Sequence, residues 1–414
     1  MRGAHERPAG GKLVVLERTV SLRALTRDPD REALWLTARG EIANRAPSRG
    51  PGGALLDAIA HPSGAVTLLR VSDRGFVLER YDVSGVLRAT FALRDPAILT
   101  DLPAMRTGES IAPVEEHTHD VGDIAADGEN VLLATRTGRH SVIAYHIAWD
   151  DPGGSFAVAS RTLVVPAHPI TPTGLNGGTY DTFGQLAAHY AVRVAVTSSG
   201  LGFVAVSHAR FDPHRMLRAH QIVFGETLAG DPDGLDMYVT RIDRDGTRLG
   251  TSVVSTENDD QLFGLRAIDD AAYAVGRTEH WNEEGTGFDA LVARIDANGV
   301  ATVREIAIDR GDVAFDIARE SSGDLVVVGA SGWWQNPHGA SISEESHAFA
   351  HRLRADGSSE AIDIKNGPRH NEARFVLRLA DGSLWFGGMN DGPGTHSADA
   401  DEPALVAHGF TTSR

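Results

Sequence analysis

The chain has 414 residues, of which 42% are hydrophobic and 23% are charged, and its formal net charge is −17. This composition is that of a folded globular protein and excludes a mostly disordered chain. No apolar run approaches the ~18 residues of a membrane-spanning helix. Lys and Arg form no cluster, and the negative charge repels phosphate backbones and anionic lipids, so nucleic acid is not an expected partner. Cysteine is absent, which removes disulfides, thiolate nucleophiles and cysteine-ligated metals.

The N-terminal residues 1–11 are polar and rich in glycine, and we expect them to form a disordered tail. They contain no apolar segment of the kind found in signal peptides. The following residues, KLVVLERTVSL (12–22), have the pattern of a β-strand. We predict that residues 12–414 form a single domain.

An internal repeat dominates the chain from residue 53 onward. Each copy contains two hairpins with alternating apolar and polar residues and a glycine-containing turn, as in AFDIARESSGDLVVVGA (314–330) and FDALVARIDANG (288–299). The turn glycines Gly323 and Gly382 of two consecutive copies are 59 residues apart. We count six copies, which start near residues 53, 119, 189, 261, 312 and 371.

Four strands per copy, here named A to D, are typical of the blades of a β-propeller. The alternative of two stacked β-sandwiches does not require the same strand order in every copy. The last copy lacks its fourth strand, and the N-terminal strand at 12–22 could supply it and close the ring. The sequence thus predicts an all-β propeller of six blades, with a seventh, degenerate blade at residues 21–40 left open.

The repeat resembles the bacterial β-propeller repeats of the SBBP type. Residues that match the first half of that motif are Asp289, Arg294, Asp296 and Gly299, and those that match the second half are Asp316, Gly323 and Gly329. The resemblance covers most of residues 53–411 and is strict over 236–390. It implies a propeller in a bacterial, often exported or surface-associated protein, and it implies no defined catalytic residues.

Long connections are predicted on one face of this propeller. The A–B and C–D turns are short, whereas the B–C and D–A connections include 207–235, 277–287, 331–345 and 389–402. Long loops on a scaffold that needs only short turns indicate function. The B–C connections contain Trp281, Trp333 and Trp334 beside His280 and His338, which favours binding of a small molecule, glycan or peptide. The alternative is that these tryptophans pack onto the blades as structural caps.

The D–A connections lead to the innermost strands and place a second group of polar residues near the axis. This group contains Glu116, His117, His119, Asp259 and His370. Carboxylates favour Ca²⁺, whereas imidazoles favour Zn²⁺, and the i, i+2 spacing of His117 and His119 places both on one side of a strand. A hydrated polar channel mouth is the alternative to a metal site.

Three functions remain open at this point. We expect a monomeric protein that binds a small molecule, glycan or peptide through the long-loop face and the channel mouth. The alternative is a metal-assisted hydrolase or lyase, in which His117, His119 and His370 bind the metal and Glu116 or Asp259 is the general base. A propeller that only docks to another protein is the third hypothesis, since this fold hosts all three.

Overall fold

The computed structural model describes residues 3–6, 12–17, 31–37, 41–47, 49–72, 75–96, 122–136, 141–165, 192–209, 235–256, 258, 260–282, 285–309, 311–332, 346–364, 366 and 370–392. In this part of the chain no helix is long and apolar enough to cross a membrane.

The strands form antiparallel sheets in which each strand pairs with the next one along the chain. The first sheet contains β1 (Gly3–Glu6), β2 (Lys12–Glu17), β3 (Arg31–Leu36) and β4 (Ile42–Ala46). The second contains β5 (Arg49–Gly50), β6 (Gly53–Ala60), β7 (Val66–Ser72), β8 (Gly75–Tyr81) and β9 (Leu87–Leu93). The third contains β10 (Gly122–Asp127), β11 (Asn130–Arg136), β12 (Val142–Asp150) and β13 (Ser155–Val165).

The remaining sheets repeat this order. The fourth contains β14 (Val192–Val196), β15 (Gly202–Ala209), β16 (Leu235–Ile242) and β17 (Arg248–Val254). The fifth contains β18 (Asp260–Ile268), β19 (Ala271–Asn282), β20 (Gly285–Ile295) and β21 (Ala301–Ile306). The sixth contains β22 (Val313–Arg319), β23 (Leu325–Ser331), β24 (His347–Leu353) and β25 (Ser359–Ile362), and the seventh is described as the pair β26 (His370–Arg378) and β27 (Leu384–Gly392).

These sheets are the blades of a propeller, numbered here 1 to 7 in chain order. Their innermost strands follow one another around a ring in the order β1, β6, β10, β14, β18, β22 and β26, and β26 contacts β1. The prediction of an all-β propeller built from four-stranded blades is confirmed, since six sheets, those of blades 1 to 6, each have four main strands. The β26–β27 pair takes the seventh position, and the six predicted repeats begin at the innermost strands of blades 2 to 7.

An N-terminal strand closes the ring, but in a different way from the one expected. Residues Gly3–Glu6, within the segment expected to be a disordered tail, form β1 and contact β26. The strand Lys12–Glu17 pairs with β1 and β3 as the second strand of blade 1, rather than as the outermost strand of the last blade. The burial of its side chains explains this place. Leu13 and Val15 pack toward blade 2 and Val14 packs toward blade 7, so both faces of the strand are covered.

The hydrophobic core is divided among the boundaries between blades. Leu56, Leu78, Ile124 and Tyr145, for example, pack together between blades 2 and 3. Every other pair of neighbouring blades has its own cluster in the described part of the chain, including Val14, Leu34 and Phe375 between blades 7 and 1. Inner strands are therefore buried on both faces, as in β6, whereas the outermost β9 alternates exposed and covered residues.

Polar contacts also join the blades on the side of the short turns. The outermost strand of one blade donates a side-chain hydrogen bond to the glycine carbonyl in the C–D turn of the next blade. The pairs are Asn44 to Gly85 (3.3 Å), Thr162 to Gly246 (2.5 Å), Ser252 to Gly299 (2.7 Å) and Arg304 to Gly357 (2.7 Å). The repeated turn thus organises its own hairpin and also accepts a bond from the neighbouring blade.

Several residues of the repeat motif are structural. Asp296 accepts hydrogen bonds from the backbone N–H groups of Asn298 and Val300, and Gly299 has a φ of 87°, which favours glycine. The same turn occurs around Asp243, which accepts from the N–H of Thr247. The aspartates of these turns are therefore explained by hairpin geometry.

Candidate functional site

Five titratable side chains from five different blades meet at the axis of the propeller. They are His5 on β1, Asp57 on β6, Asp123 on β10, Arg266 on β18 and Asp316 on β22. Arg266 interacts electrostatically with all three aspartates, and His5 interacts with Arg266, Asp57 and Asp316. Because these strands lie on different sides of the ring, the side chains approach one another across its centre.

The repeat explains why charged residues recur at one position of the innermost strands. Asp57, Arg193 and Asp316 occupy equivalent positions, each four residues before the first residue of the A–B turn. That first residue is His61, Thr197 and Glu320, respectively, and each donates its backbone N–H across the turn. One position of the innermost strand therefore carries a charged residue in blades 2, 4 and 6.

Two of the three aspartates join neighbouring blades. Asp123 Oδ2 accepts a hydrogen bond from the backbone N–H of Val194 in blade 4, at 2.8 Å. Asp316 Oδ2 accepts one from the backbone N–H of Val376 in blade 7, at 3.1 Å. Both carboxylates thus have a structural function, since each satisfies a buried N–H of the adjoining innermost strand.

Arg266 is held by a bidentate ion pair with Asp316. Its Nε and terminal nitrogen lie 2.7 and 2.8 Å from the two carboxylate oxygens. Burial opposes the charge of Arg266, but the adjacent Asp316, together with Asp57 and Asp123, raises its pKa above the ordinary value. The guanidinium therefore stays charged, and its orientation is fixed by a carboxylate of the next blade.

His5 contributes a neutral imidazole to the axis. Burial and the nearby Arg266 lower the pKa of His5 to about 4, although Asp57, Asp316 and a hydrogen bond to the backbone of Ala58 act in the opposite direction. The ring is therefore uncharged at neutral pH. It can donate one hydrogen bond and accept another at the same time.

Asp57 differs from the two aspartates that bind backbone groups. The residue as a whole is only 9% exposed, yet within the described residues no N–H or O–H group donates a hydrogen bond to its carboxylate. Its recorded interactions are electrostatic, with His5 and Arg266. Unlike one oxygen of Asp312, the oxygens of Asp57 are not among the fully buried polar atoms that lack a partner, so they stay open to solvent or a ligand at the axis.

A group of aromatic and arginine side chains lies nearer the start of the innermost strands. Phe263, Phe315 and Arg374 are the residues skipped by the β-bulges of β18, β22 and β26. The two phenyl rings pack edge to face at 5.5 Å, and the Arg374 guanidinium lies 4.0 Å from the centre of the Phe315 ring. Arg374 also pairs with Glu372 at 2.5 Å. The bulged residues therefore form one surface of aromatic and charged side chains at the end of the channel opposite the A–B turns.

Buried carboxylates stand where the innermost strands of blades 5 and 6 begin. Asp260 accepts hydrogen bonds from the backbone and hydroxyl of Thr256, and Asp312 accepts from the backbone N–H groups of Ile308 and Asp309. Burial raises the pKa of each to about 7 despite these donors. Asp312 lies four residues before the axial Asp316 of the same blade. In blade 3 the residue four before the axial Asp123 is His119, which lies outside the described residues.

Most of the residues selected from the sequence also lie outside the described part of the chain. They are Glu116, His117, His119, Asp259, Trp333, Trp334 and His338. His370 is placed at the start of β26, opposite Gly392, and His280 and Trp281 are placed near the end of β19. The metal ligands and the tryptophan site therefore remain predictions.

One predicted B–C loop is largely a continuation of two strands. Residues 277–287 were expected to form a loop, but β19 extends to Asn282 and β20 starts at Gly285. Arg277 pairs with Ala290, and the ladder continues to the pair of Asn282 and Gly285. The unbroken ladder explains the difference, since it satisfies backbone groups that a loop would leave to solvent. His280 and Trp281 thus lie in the paired end of the β19–β20 hairpin, opposite Gly287 and Thr286.

A metal site finds no support among the described residues. In this part of the chain, His, Asp and Glu side chains do not form a group of three or more that could hold a metal ion. At the axis the three aspartates surround the guanidinium of Arg266, which supplies the positive charge itself. Calcium or zinc binding consequently rests on the sequence prediction at the channel mouth.

The axial site contains residues that sequence analysis did not select for function. Asp316 is a residue of the repeat motif, and Asp57 and Asp123 share its place before a short apolar stretch. That recurrence was the signal available in the sequence. For His5 there was none, because a four-residue strand within a polar, glycine-rich segment has no recognisable pattern.

Comparison with known proteins gives structural matches at low identity. No family model matches the chain, and no curated protein matches its sequence, so the SBBP-type repeat remains a resemblance. A catalytically inactive virginiamycin B lyase from Staphylococcus aureus is 12% identical, with 90% of this chain and 95% of that chain covered and a TM-score of 0.45. Drosophila plexin A, in complex with semaphorin 1b, is 9% identical, with 93% and 86% covered and a TM-score of 0.45. The α-L-arabinofuranosidase of Fusarium graminearum is 9% identical, with 83% and 89% covered and a TM-score of 0.41.

Proposed function

We propose that the protein is a ligand-binding β-propeller that holds a small polar molecule at its axis. The observation that carries this proposal is the convergence of His5, Asp57, Asp123, Arg266 and Asp316 from five blades. Two of the aspartates bind backbone N–H groups of adjoining blades and His5 hydrogen-bonds the backbone of Ala58 in blade 2, whereas Asp57 receives no hydrogen bond from any described residue. A few placed polar groups in a concave site are typical of small-molecule binding.

The lengths of the connections indicate from which face a ligand would arrive. The chain between Leu93 and Gly122 and between Val165 and Val192 connects blades, and the chain between Ala209 and Leu235 connects β15 to β16. The strand ends that these three connections join lie on the face where the innermost strands begin. On the opposite face the turns are short, as between Arg319 and Leu325. Binding through the first face also agrees with the predicted loops that contain Trp333 and His338.

Affinity selection with mass-spectrometric detection tests the proposal on the full chain, with a panel of sugars, amino acids, short peptides, amines and organic acids. The axial variant combines Arg266→Gln with Asp316→Asn, which removes one charge of each sign and keeps an acceptor for Val376. The matched control combines Arg352→Gln with Glu320→Gln, a bidentate pair in the same blade near the short turns, at 2.7 and 2.9 Å.

We expect the wild type to retain at least one panel compound whose affinity changes about tenfold or more in the axial variant. The control pair should leave that affinity unchanged. Circular dichroism and the melting temperature establish that both variants are folded. Equal affinity in the axial variant, or retention of no compound by the wild type, would overturn the proposal.

A further inference from the structure

We infer that the axial ligand carries a cationic group, an ammonium or a guanidinium, and that Asp57 binds this group. The inference rests on the proposed function and specifies its ligand class. It follows from the balance of charge at the axis, from the unused hydrogen-bonding capacity of Asp57, and from the state of His5.

Carboxylates are in excess at the axis. Asp57, Asp123 and Asp316 face one guanidinium, that of Arg266. Arg193, at the equivalent position of blade 4, brings a second positive charge, and its Nε is bound to the carbonyl of Phe263 at 2.7 Å. Against the three axial aspartates, the two arginines leave one negative charge in excess within this group of five side chains. A ligand with a single positive charge would complete the balance.

The remaining charge is best assigned to Asp57. Asp316 is neutralised by two hydrogen bonds from Arg266 and accepts a backbone N–H, and Asp123 also accepts a backbone N–H. Asp57 is 91% buried but receives no hydrogen bond from any described residue. An ammonium group has three donors and no acceptor, so it would satisfy this carboxylate fully.

His5 supports a donor-rich ligand. The imidazole is uncharged at neutral pH and bonds the backbone of Ala58 with one ring nitrogen. It therefore cannot neutralise Asp57, but its other nitrogen is of the type that accepts an N–H. A carboxylate and a neutral imidazole that interact at one site together offer several acceptors, which suits a group that carries several N–H donors.

An anionic ligand would meet a less suitable site. The guanidinium of Arg266 is already bound to two oxygens of Asp316, and Arg374 pairs with Glu372. A phosphate or carboxylate would have to displace one of these partners and leave its carboxylate buried without a counter-charge. That displacement is costly because the desolvation of a buried charge is then uncompensated.

Isothermal titration calorimetry with putrescine, agmatine and choline tests the inference, with 1,4-butanediol as the neutral analogue of putrescine. The protein carries any tag at its C-terminus, so that β1 remains intact. Asp57→Asn removes the charge with the same shape, and Asp57→Ser does so by a second route if the first variant fails to fold. The control is Asp324→Asn, in the A–B turn of blade 6.

We expect at least one amine to bind the wild type and to lose tenfold or more in affinity in the Asp57 variants. Binding to Asp324→Asn should equal that of the wild type, and the diol should not bind. Equal amine binding by Asp57→Asn would overturn the inference. If sugars or organic acids bind in a way that depends on the Arg266 and Asp316 pair but not on Asp57, the inference fails and the proposed function stands. If no compound responds to any axial substitution, both fail.

Discussion

Arg266 and Asp316 form a bidentate ion pair across the boundary between blades 5 and 6, at 2.7 and 2.8 Å. The carboxylate of Asp316 also accepts the backbone N–H of Val376, which belongs to blade 7. One side chain thus joins three consecutive blades at their innermost strands. The contact lies where the blades converge, so its loss should affect closure of the ring as well as local packing.

Arg266→Met should lower the free energy of unfolding by about 2–4 kcal/mol, because it leaves Asp316 nearly buried without its counter-charge. The range allows for the partial exposure of the Arg266 side chain, which is 29%. Urea denaturation followed by tryptophan fluorescence and circular dichroism measures the change. Asp316→Asn combined with Arg266→Met should recover part of the loss, since the uncompensated charge is removed and the acceptor for Val376 is kept.

Arg319→Met provides the control for this prediction. Arg319 pairs with Asp269 between the same two blades, but both side chains are substantially exposed. An exposed ion pair contributes little, so the control should change stability by about 0.5 kcal/mol or less. A similar loss in the two variants would show that the axial position confers no special stability.

A glycine of strand B is required by the bulge of strand A in three consecutive blades. A Cβ on Gly276, Gly329 or Gly388 would lie within 2.0 Å of a backbone oxygen of the innermost strand, at 1.8, 1.9 and 1.8 Å. Each of these glycines pairs beside the point where the register shifts. The bulge brings the two strands so close that no side chain fits between them.

Gly329→Ala should therefore destabilise the protein by about 2–3 kcal/mol, the cost of forcing extra volume into a packed region. Thermal and chemical unfolding measure this loss. The control is Gly287→Ala, since a Cβ there meets nothing within 4 Å and no unusual φ is recorded. A stability of Gly329→Ala equal to that of the control would contradict the close approach of the strands.

The sequence predicts the repeating features of the fold because they depend on local patterns. Alternation of apolar and polar residues, turn glycines such as Gly299 and turn aspartates such as Asp296 identify the hairpins and their order. The same patterns place the short turns on one face. These features require no knowledge of which residues approach from other blades.

The axial site depends on contacts between residues far apart in the chain, and the sequence alone could not locate it. His5 and Asp316 are separated by most of the chain, and each would be an ordinary strand residue by local criteria. The bulges that position Phe263 and Phe315 leave no signal in the alternation pattern either. The strand that closes the ring is difficult to predict from the sequence for a related reason. β1 has only four residues, and its place is set by its contacts with β2 and β26.

The pH dependence of the unfolding free energy should reveal the titration of the buried carboxylates Asp260 and Asp312. Burial raises the pKa of both from an ordinary value of 3.8 to about 7 in the folded protein. Between these two values the folded state binds more protons than the unfolded state, so stability is highest at the acidic end and falls as the pH rises toward 7. Asp312→Asn keeps an oxygen to accept the N–H groups of Ile308 and Asp309 but cannot ionise.

This variant should therefore be more stable than the wild type at pH 8 and close to it at pH 4.5, and the slope between these values should be smaller. Unfolding free energies from urea titrations at several pH values give the comparison, and Asp260→Asn combined with Asp312→Asn should flatten the profile further. Asp356→Asn is the control, because hydrogen bonds from Ser358 lower the pKa of Asp356 and place its titration below this range. If the unfolding free energy of the wild type rises from pH 4.5 to 8, and Asp312→Asn shows the same slope, the burial of a protonated Asp312 is contradicted.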